Sequence, residues 1–275
     1  MPQARFRIAT GRNAGRLPSP LIVGSLLLAC GSAPSVAPEP QPTTSTTEVP
    51  TTRVESELVL PSTTSTTVVT AESLPTGSSL VGHATADVEV FDGPELAAPS
   101  YVLGAATMLG SPRVFLVETG PVDGWVEVSL PIRPNGSTGW VRAGALDLAV
   151  LDYTLFVDLS DRRLRLEQGD EVLLETDVAV GSPHNPTPTG SYFVTDIVAL
   201  ADPGGPWGPF ALGLSAFSDT ITEFNGGDGI IGIHGTNRPA SIGEPVSLGC
   251  VRVPNEIAAQ LAELVKLGTP VEIAA

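Results

Sequence analysis

Cysteine is scarce in this chain. There are two in 275 positions, Cys30 and Cys250, beside only three histidines. That supply builds no disulfide framework and no Cys/His cluster with zinc-ligand spacing, which argues against a metal site. Basic residues are few as well: 14 Lys and Arg stand against 30 Asp and Glu, for a formal charge of −16. Phosphate binding needs clustered Lys and Arg, so no nucleic-acid partner is expected. Aromatic residues make up only 5%, and no apolar run reaches the ~20 residues that a bilayer-spanning helix takes. What is plentiful is glycine (29) and proline (26), beside an ordinary hydrophobic fraction of 42%. That mixture predicts turn-rich β structure together with unstructured segments rather than long helices.

The first twenty residues carry Arg5, Arg7, Arg12 and Arg16 and no acid, and lead into the apolar stretch "LIVGSLLLAC". A basic start followed by a run of roughly ten apolar residues reads as an export signal. "LLAC" followed by Gly31 resembles a bacterial lipoprotein box, with Leu28 where a smaller residue is more usual. Residues 1–29 are therefore expected to be a signal peptide and Cys30 the lipidated residue, holding the protein at the extracytoplasmic face of the membrane, toward the cell wall. Stable anchoring of that kind takes more than one acyl chain. Cys250 is then left as an unpaired thiol in an exported protein, where thiols are normally paired, and is a candidate for reactivity.

Residues 30–80 are rich in Pro, Thr, Ser and Glu and have no aromatic residue. Such a segment cannot bury enough apolar surface to offset its ordering entropy and is expected to be a disordered linker. From about residue 81 short alternating runs appear, "DVEVFDGP", "RVFLVETG", "GWVEVSLP" and "TGWVRAGAL". The stretch "DGWVEVSLPIRPNGSTGWVRAGALDL" resembles the end of bacterial SH3-like domains, so residues 81–150 are expected to form an SH3-like β-barrel. Trp125 and Trp140 are expected in its core, with a ligand groove as the alternative.

From residue 151 a second β-rich domain is expected, with strands at "TLFVDL", "RRLRLE", "VLLETDVAVG" and "GSYFVTDIVAL". One helix stands out near the end, "PNEIAAQLAELVKLG", with Asn255 as its cap and Gly268 as its stop. "GDGIIG", residues 227–232, fits G-x-G-x-x-G literally. Nothing after it can begin a helix, so a nucleotide-binding reading is dismissed. It reads instead as a strand, "GIIGIH", fed by a turn at Asn225-Gly226-Gly227.

That strand ends at His234, and Cys250 follows sixteen residues later in "VSLGCVRV". Each residue alone is ordinary core material. Together they supply what thiol chemistry needs, because a thiol is only a few per cent ionised at pH 7 and a neighbouring imidazole can take its proton. Gly249 permits close approach of a carbonyl, with the N–H groups of Gly249 and Cys250 as expected oxyanion donors. Arg252 shares a strand face with Cys250 and suits a substrate carboxylate.

"IHGT…SLGCVRV" resembles the His…[ST]-x-G-C-hydrophobic-Arg signature of the L,D-transpeptidases of bacterial cell walls. The upstream "VDLSDRRLRL…VAVGSPHNPTPTGSYFV" resembles the opening strands and T-P-T-G loop of the same family, so the resemblance spans residues 151–275. It implies a β-sandwich-like catalytic domain with a short C-terminal helix, Cys250 as nucleophile and His234 as general base. It also implies that the Gly235 carbonyl orients the imidazole and that Ser247 fills the motif's hydroxyl position. Leu248 stands where many relatives carry a second histidine.

The implied reaction joins peptidoglycan stem peptides by 3→3 cross-links through a Cys250 thioester, with release of D-Ala. No cofactor is implied, and carbapenem β-lactams are implied as covalent inhibitors. The alternatives are an L,D-carboxypeptidase, if water takes the thioester, and a non-catalytic wall-binding lipoprotein.

Overall fold

The structure is a computed structural model, and it describes residues 70–224 and 227–275. The expected signal peptide, the Cys30 lipid site, most of the linker and the Asn225-Gly226 half of the expected turn lie outside the described residues. The first described elements fall within the stretch expected to be linker. A 3₁₀ turn at Ala71–Ser73 sends Glu72 to accept the Gly120 N–H, and β1 (Ser79–Ala84) begins before residue 81.

The N-terminal module continues with β2 (Val88–Val90), β3 (Tyr101–Leu103), β4 (Val114–Val122), β5 (Trp125–Ser129), β6 (Thr138–Arg142) and β7 (Leu146–Leu151). Five of these form a sheet in the order β6-β5-β4-β1-β7, while β2 and β3 pair as a separate hairpin. Phe91 and Trp140 exchange two backbone hydrogen bonds at 2.8 Å, tying the hairpin to the sheet's β6 edge. Alternation in "WVEVS" and "TGWVR" turns Val126, Val128 and Val141 inward onto Phe115, Val88 and Val90. Trp125 is buried edge-to-face with Phe91, ring centroids 5.0 Å apart, and the Arg142 guanidinium lies over its ring.

The second module contains β8 (Tyr153–Asp158), β9 (Arg163–Gln168), β10 (Glu171–Asp177), β11 (Val180–Gly181), β12 (Gly190–Ala199), β13 (Phe210–Phe217), β14 (Ile230–His234), β15 (Pro245–Ser247) and β16 (Val251–Arg252). The helix α1 (Asn255–Leu264) and the last strand, β17 (Pro270–Ala274), complete it. Eight strands form one curled sheet, β10-β9-β8-β17-β12-β13-β14-β16, and β11 pairs in parallel with β15. The molecule is mainly β, as expected.

Sequence reading placed nothing over "PVEIA", yet these residues form β17, in the middle of the sheet between β8 and β12. The helix starts and stops differently as well. Pro254 occupies the N-cap position, α1 ends at Leu264, and Gly268 follows at φ +90°.

Strand β12 is buried on both faces, and that positions everything else. Tyr192 and Val194 face the large core with Leu212, Ile233 and Leu261. Phe193 faces the other way, onto Val81 and Val114 of the N-terminal module. Burying such side chains stabilises by roughly 1.5–3 kcal/mol each, so the two modules share a real core. Gly268 sits in this seam, where a Cβ would meet Val81 and Val114 side chains at 2.9 Å. No helix among the described residues is long and apolar enough to cross a membrane.

Candidate active site

Strands β14 and β16 run parallel with Ile233 opposite Val251 and His234 opposite Arg252. One residue before β16, Cys250 falls alongside Gly232, whose backbone N–H favours the thiolate. His234 and Cys250 thus arrive on neighbouring strands, and both line one cavity of about 340 Å³ together with Ser247, Leu248 and Arg252.

The imidazole is oriented from behind. Its Nδ1 lies 2.6 Å from the Gly235 carbonyl, which can only accept, so Nδ1 carries the proton and Nε2 is the ring's free base. His234 is buried, and that burial pushes its pKa down to about 4. The Gly235 bond opposes this and the nearby Arg252 charge adds to it. Burial likewise pushes the Cys250 thiol up, with Gly232 and Arg252 pulling the other way. Both groups are therefore neutral at pH 7.

The cysteine sits in a turn held by its own hydroxyl. Ser247 is buried; its Oγ accepts the Gly249 N–H at 3.1 Å and donates to the Cys250 carbonyl at 2.5 Å. Gly249 has φ +117°, and a Cβ there would meet Ile231 Cδ1 at 2.9 Å, so glycine is required at this position. The expectation that the Gly249 N–H points at an oxyanion is corrected, because that donor is already committed to Ser247.

A second hydroxyl anchors the turn from outside. Thr187 is buried and donates to the Gly249 carbonyl at 2.8 Å while accepting the Gly181 N–H at 2.9 Å. It belongs to the T-P-T-G loop, whose quoted resemblance carried no assigned role for it.

Arg252 has no carboxylate of the described residues within ion-pair distance, and its buried Nε has no hydrogen-bond partner. An unpartnered guanidinium at a cavity wall is an available site for an anion. Leu248, in the place of the family's frequent second histidine, is half exposed and lines the cavity. His184 is exposed on its Pro-rich loop.

Sequence reasoning missed the site's aromatic cover. Trp207 stacks on His234 with ring centroids 5.5 Å apart and planes 25° from parallel, and Phe224 stacks on Trp207 at 6.3 Å. Both aromatics line the first cavity and a second of about 370 Å³ that also reaches Cys250. The signal was present in "GGPWGP", one of three tryptophans placed between Pro and Gly in an otherwise unpatterned loop. Gly208, at φ +65°, packs directly on Gly235, where a Cβ on either would run into Asn255 Oδ1. Asn255 is correspondingly not the helix cap. Its Oδ1 accepts the Thr236 N–H at 2.7 Å and fixes the segment just past His234. Among the described residues no group of three or more His, Cys, Asp or Glu gathers where it could hold a metal ion.

A family model described as the L,D-transpeptidase catalytic domain matches residues 152–273. YkuD of Bacillus subtilis is 36% identical over 133 residues, which cover 48% of this chain and 73% of that protein. The chain belongs to the L,D-transpeptidase family. YkuD of Bacillus licheniformis is 37% identical over 151 residues, 52% of this chain and 83% of that protein. Among solved structures, Bd1075 of Bdellovibrio bacteriovorus is 26% identical over 45% of this chain and 48% of its own, at a TM-score of 0.36, a likeness too loose to carry an argument. The L,D-transpeptidase match contains His234, Thr187, Ser247, Cys250 and Arg252, and leaves β1 to β7 outside it.

Proposed function

We propose that this protein is a peptidoglycan L,D-transpeptidase that forms 3→3 cross-links through a thioester on Cys250. The observation that supports this best is the placement of Cys250 and His234 in one cavity, with Nδ1 tied to Gly235 and Nε2 left as the base. The Cys250 thiol and His234 imidazole start neutral, so the proton passes to Nε2 as the sulfur attacks the carbonyl of the third stem residue. Imidazolium then protonates the departing D-Ala amine, leaving the thioester. The side-chain amine of the third residue on a neighbouring stem gives His234 a proton, attacks the thioester and releases the thiol. With Gly249 committed, the Cys250 N–H is the oxyanion donor offered by this turn. Arg252 receives the terminal carboxylate of the D-Ala that leaves. The residues present need no metal or organic cofactor for these steps.

The same proposal places the protein outside the membrane, anchored through a lipidated Cys30, with residues 30–80 as spacer and an SH3-like module before the catalytic domain. Carbapenems are the diagnostic probe. Incubated with one, the full chain is expected to gain a single adduct on Cys250 by intact and peptide mass spectrometry, and Cys250→Ala none. An adduct that persists in Cys250→Ala overturns the assignment. Release of D-Ala without a cross-linked dimer would favour the carboxypeptidase reading.

A further inference from the structure

We infer that the N-terminal module is a working part of the active site, with Arg133 and Asn135 as positioning residues that hold the lid over Cys250. This rests on the reading of Cys250 and His234 as the reacting pair. The lid is the described part of the segment between β13 and β14, residues 218–224 and 227–229, which contributes Ser218, Ile221, Phe224 and Gly229 to the cavity wall. Among its described residues, Ser218 donates to the Gly229 carbonyl at 2.9 Å just beyond the β13–β14 pairing, and Phe224 bridges to Gly227. Thr220 donates to Asn185 of the catalytic module at 3.0 Å, and the loop between β5 and β6 holds both ends of the lid.

The Arg133 guanidinium donates to three lid carbonyls: Ser218 at 2.9 Å, Ile221 at 3.3 Å and Asp228 at 2.7 Å. It thereby gathers both ends of the lid onto one side chain. It also lies over the Phe217 ring at 5.0 Å. Asn135 satisfies Phe217 as a neighbouring strand would, accepting its N–H at 2.9 Å and donating to its carbonyl at 2.8 Å. A rigid fork with several fixed donors suits this task, and lysine could not reproduce it.

A second loop of the same module grips the floor beneath. Thr107 donates to the buried Asp196 of β12, and the turn it begins puts Met108 and Leu109 on the second cavity, which Phe224 also lines. The module thus holds the floor at one point and the lid at three. Lid position sets where Phe224 lies, Phe224 stacks on Trp207, and Trp207 covers His234. Loosening Arg133 therefore exposes the thiol while spoiling the surface against which a substrate is held.

The test uses the full chain, with Arg133→Ala and Asn135→Ala beside the parent. Hydrogen exchange is followed by mass spectrometry, iodoacetamide alkylation is read at the Cys250 peptide, and carbapenem acylation is timed. In both variants the amides of residues 217–224 and 227–229 are expected to exchange about tenfold faster, with β8 and β9 unchanged, as local opening without global unfolding requires. Alkylation of Cys250 is expected to quicken severalfold while carbapenem acylation slows by about tenfold. Unchanged exchange in the lid overturns the inference. So does faster exchange with Cys250 reactivity unchanged toward both reagents, since the clamp would then be structural only. If the parent itself takes no carbapenem, the functional reading fails separately, and exchange with alkylation still decides the clamp.

Discussion

The indole of Trp207 lies over the imidazole of His234 at 5.5 Å, so the residue proposed as the only base is covered on one face by a side chain that is itself 39% exposed. A half-exposed tryptophan can swing away from the ring it shields. The protonation behaviour of the site therefore depends on a contact at its mouth as well as on its depth.

The first expected outcome concerns pH. His234 has its pKa lowered from 6.5 to about 4, so it remains a neutral base well below the ordinary histidine range. The acid limb of carbapenem acylation is expected near pH 4 rather than between pH 6 and 7. Because the folded value lies below the unfolded one, the unfolded chain binds the extra proton first as pH falls. Stability linked to His234 is fully present above about pH 6.5 and declines between there and pH 4, by roughly 3 kcal/mol at most. Urea denaturation of the parent against His234→Phe across that window measures it. An equal pH slope in both chains would contradict the assignment.

Trp207→Ala removes the cover without touching the backbone of β14. The imidazole becomes better hydrated, so the acid limb is expected to move upward from pH 4 toward the ordinary value near 6.5. A pH–rate profile of acylation checks this, with loss of activity but no shift of the limb as the contrary result.

Thr187→Val keeps the volume and removes the hydroxyl between Gly181 and Gly249. It strands the part-buried Gly181 N–H and the buried Gly249 carbonyl, at a cost of about 1–3 kcal/mol for a fully buried unsatisfied group. Chemical denaturation is expected to register that loss. Acylation is expected to slow by more than the stability change explains, because the turn carrying Cys250 loses its outer anchor.

Gly249→Ala forces a side chain into a φ of +117° and against Ile231. Strain of roughly 1–3 kcal/mol is expected, with Cys250 displaced from His234. The measurement is the acylation rate at a temperature where circular dichroism shows the variant folded. A rate within twofold of the parent would remove Gly249 from the account of the site.

The proposed pair was legible because it is written locally. A histidine closing a glycine-spaced strand and "SLGC" sixteen residues on stand out in the residues themselves, while Ser247 came with the family resemblance that this motif carries. Alternation also marked β8 and β9, where Leu155, Val157, Leu164 and Leu166 all turn inward. Gly249 was marked too, but for the wrong reason. Only the structure shows its N–H spent on Ser247, since hydrogen-bond partners two residues apart are not legible in residue identity. Asn255 was misread as a cap because its true partner, the Thr236 N–H, lies nineteen residues away.

The sequence by itself determined the mainly β character and the family, and it brought forward Cys250 and His234 as the proposed reacting pair, since these depend on residue types at short spacing. The tertiary structure decided what surrounds that pair. It inserted β17 into the middle of the sheet, set Trp207 over His234, and ran the Arg133 fork to lid carbonyls 85 to 95 positions away. It also turned Phe193 away from its own core to meet Val81 and Val114. Such contacts join segments whose local patterns are complete without one another. They form because burying shared apolar surface and satisfying stranded carbonyls lowers the free energy of the whole chain, a sum that no short window of sequence contains.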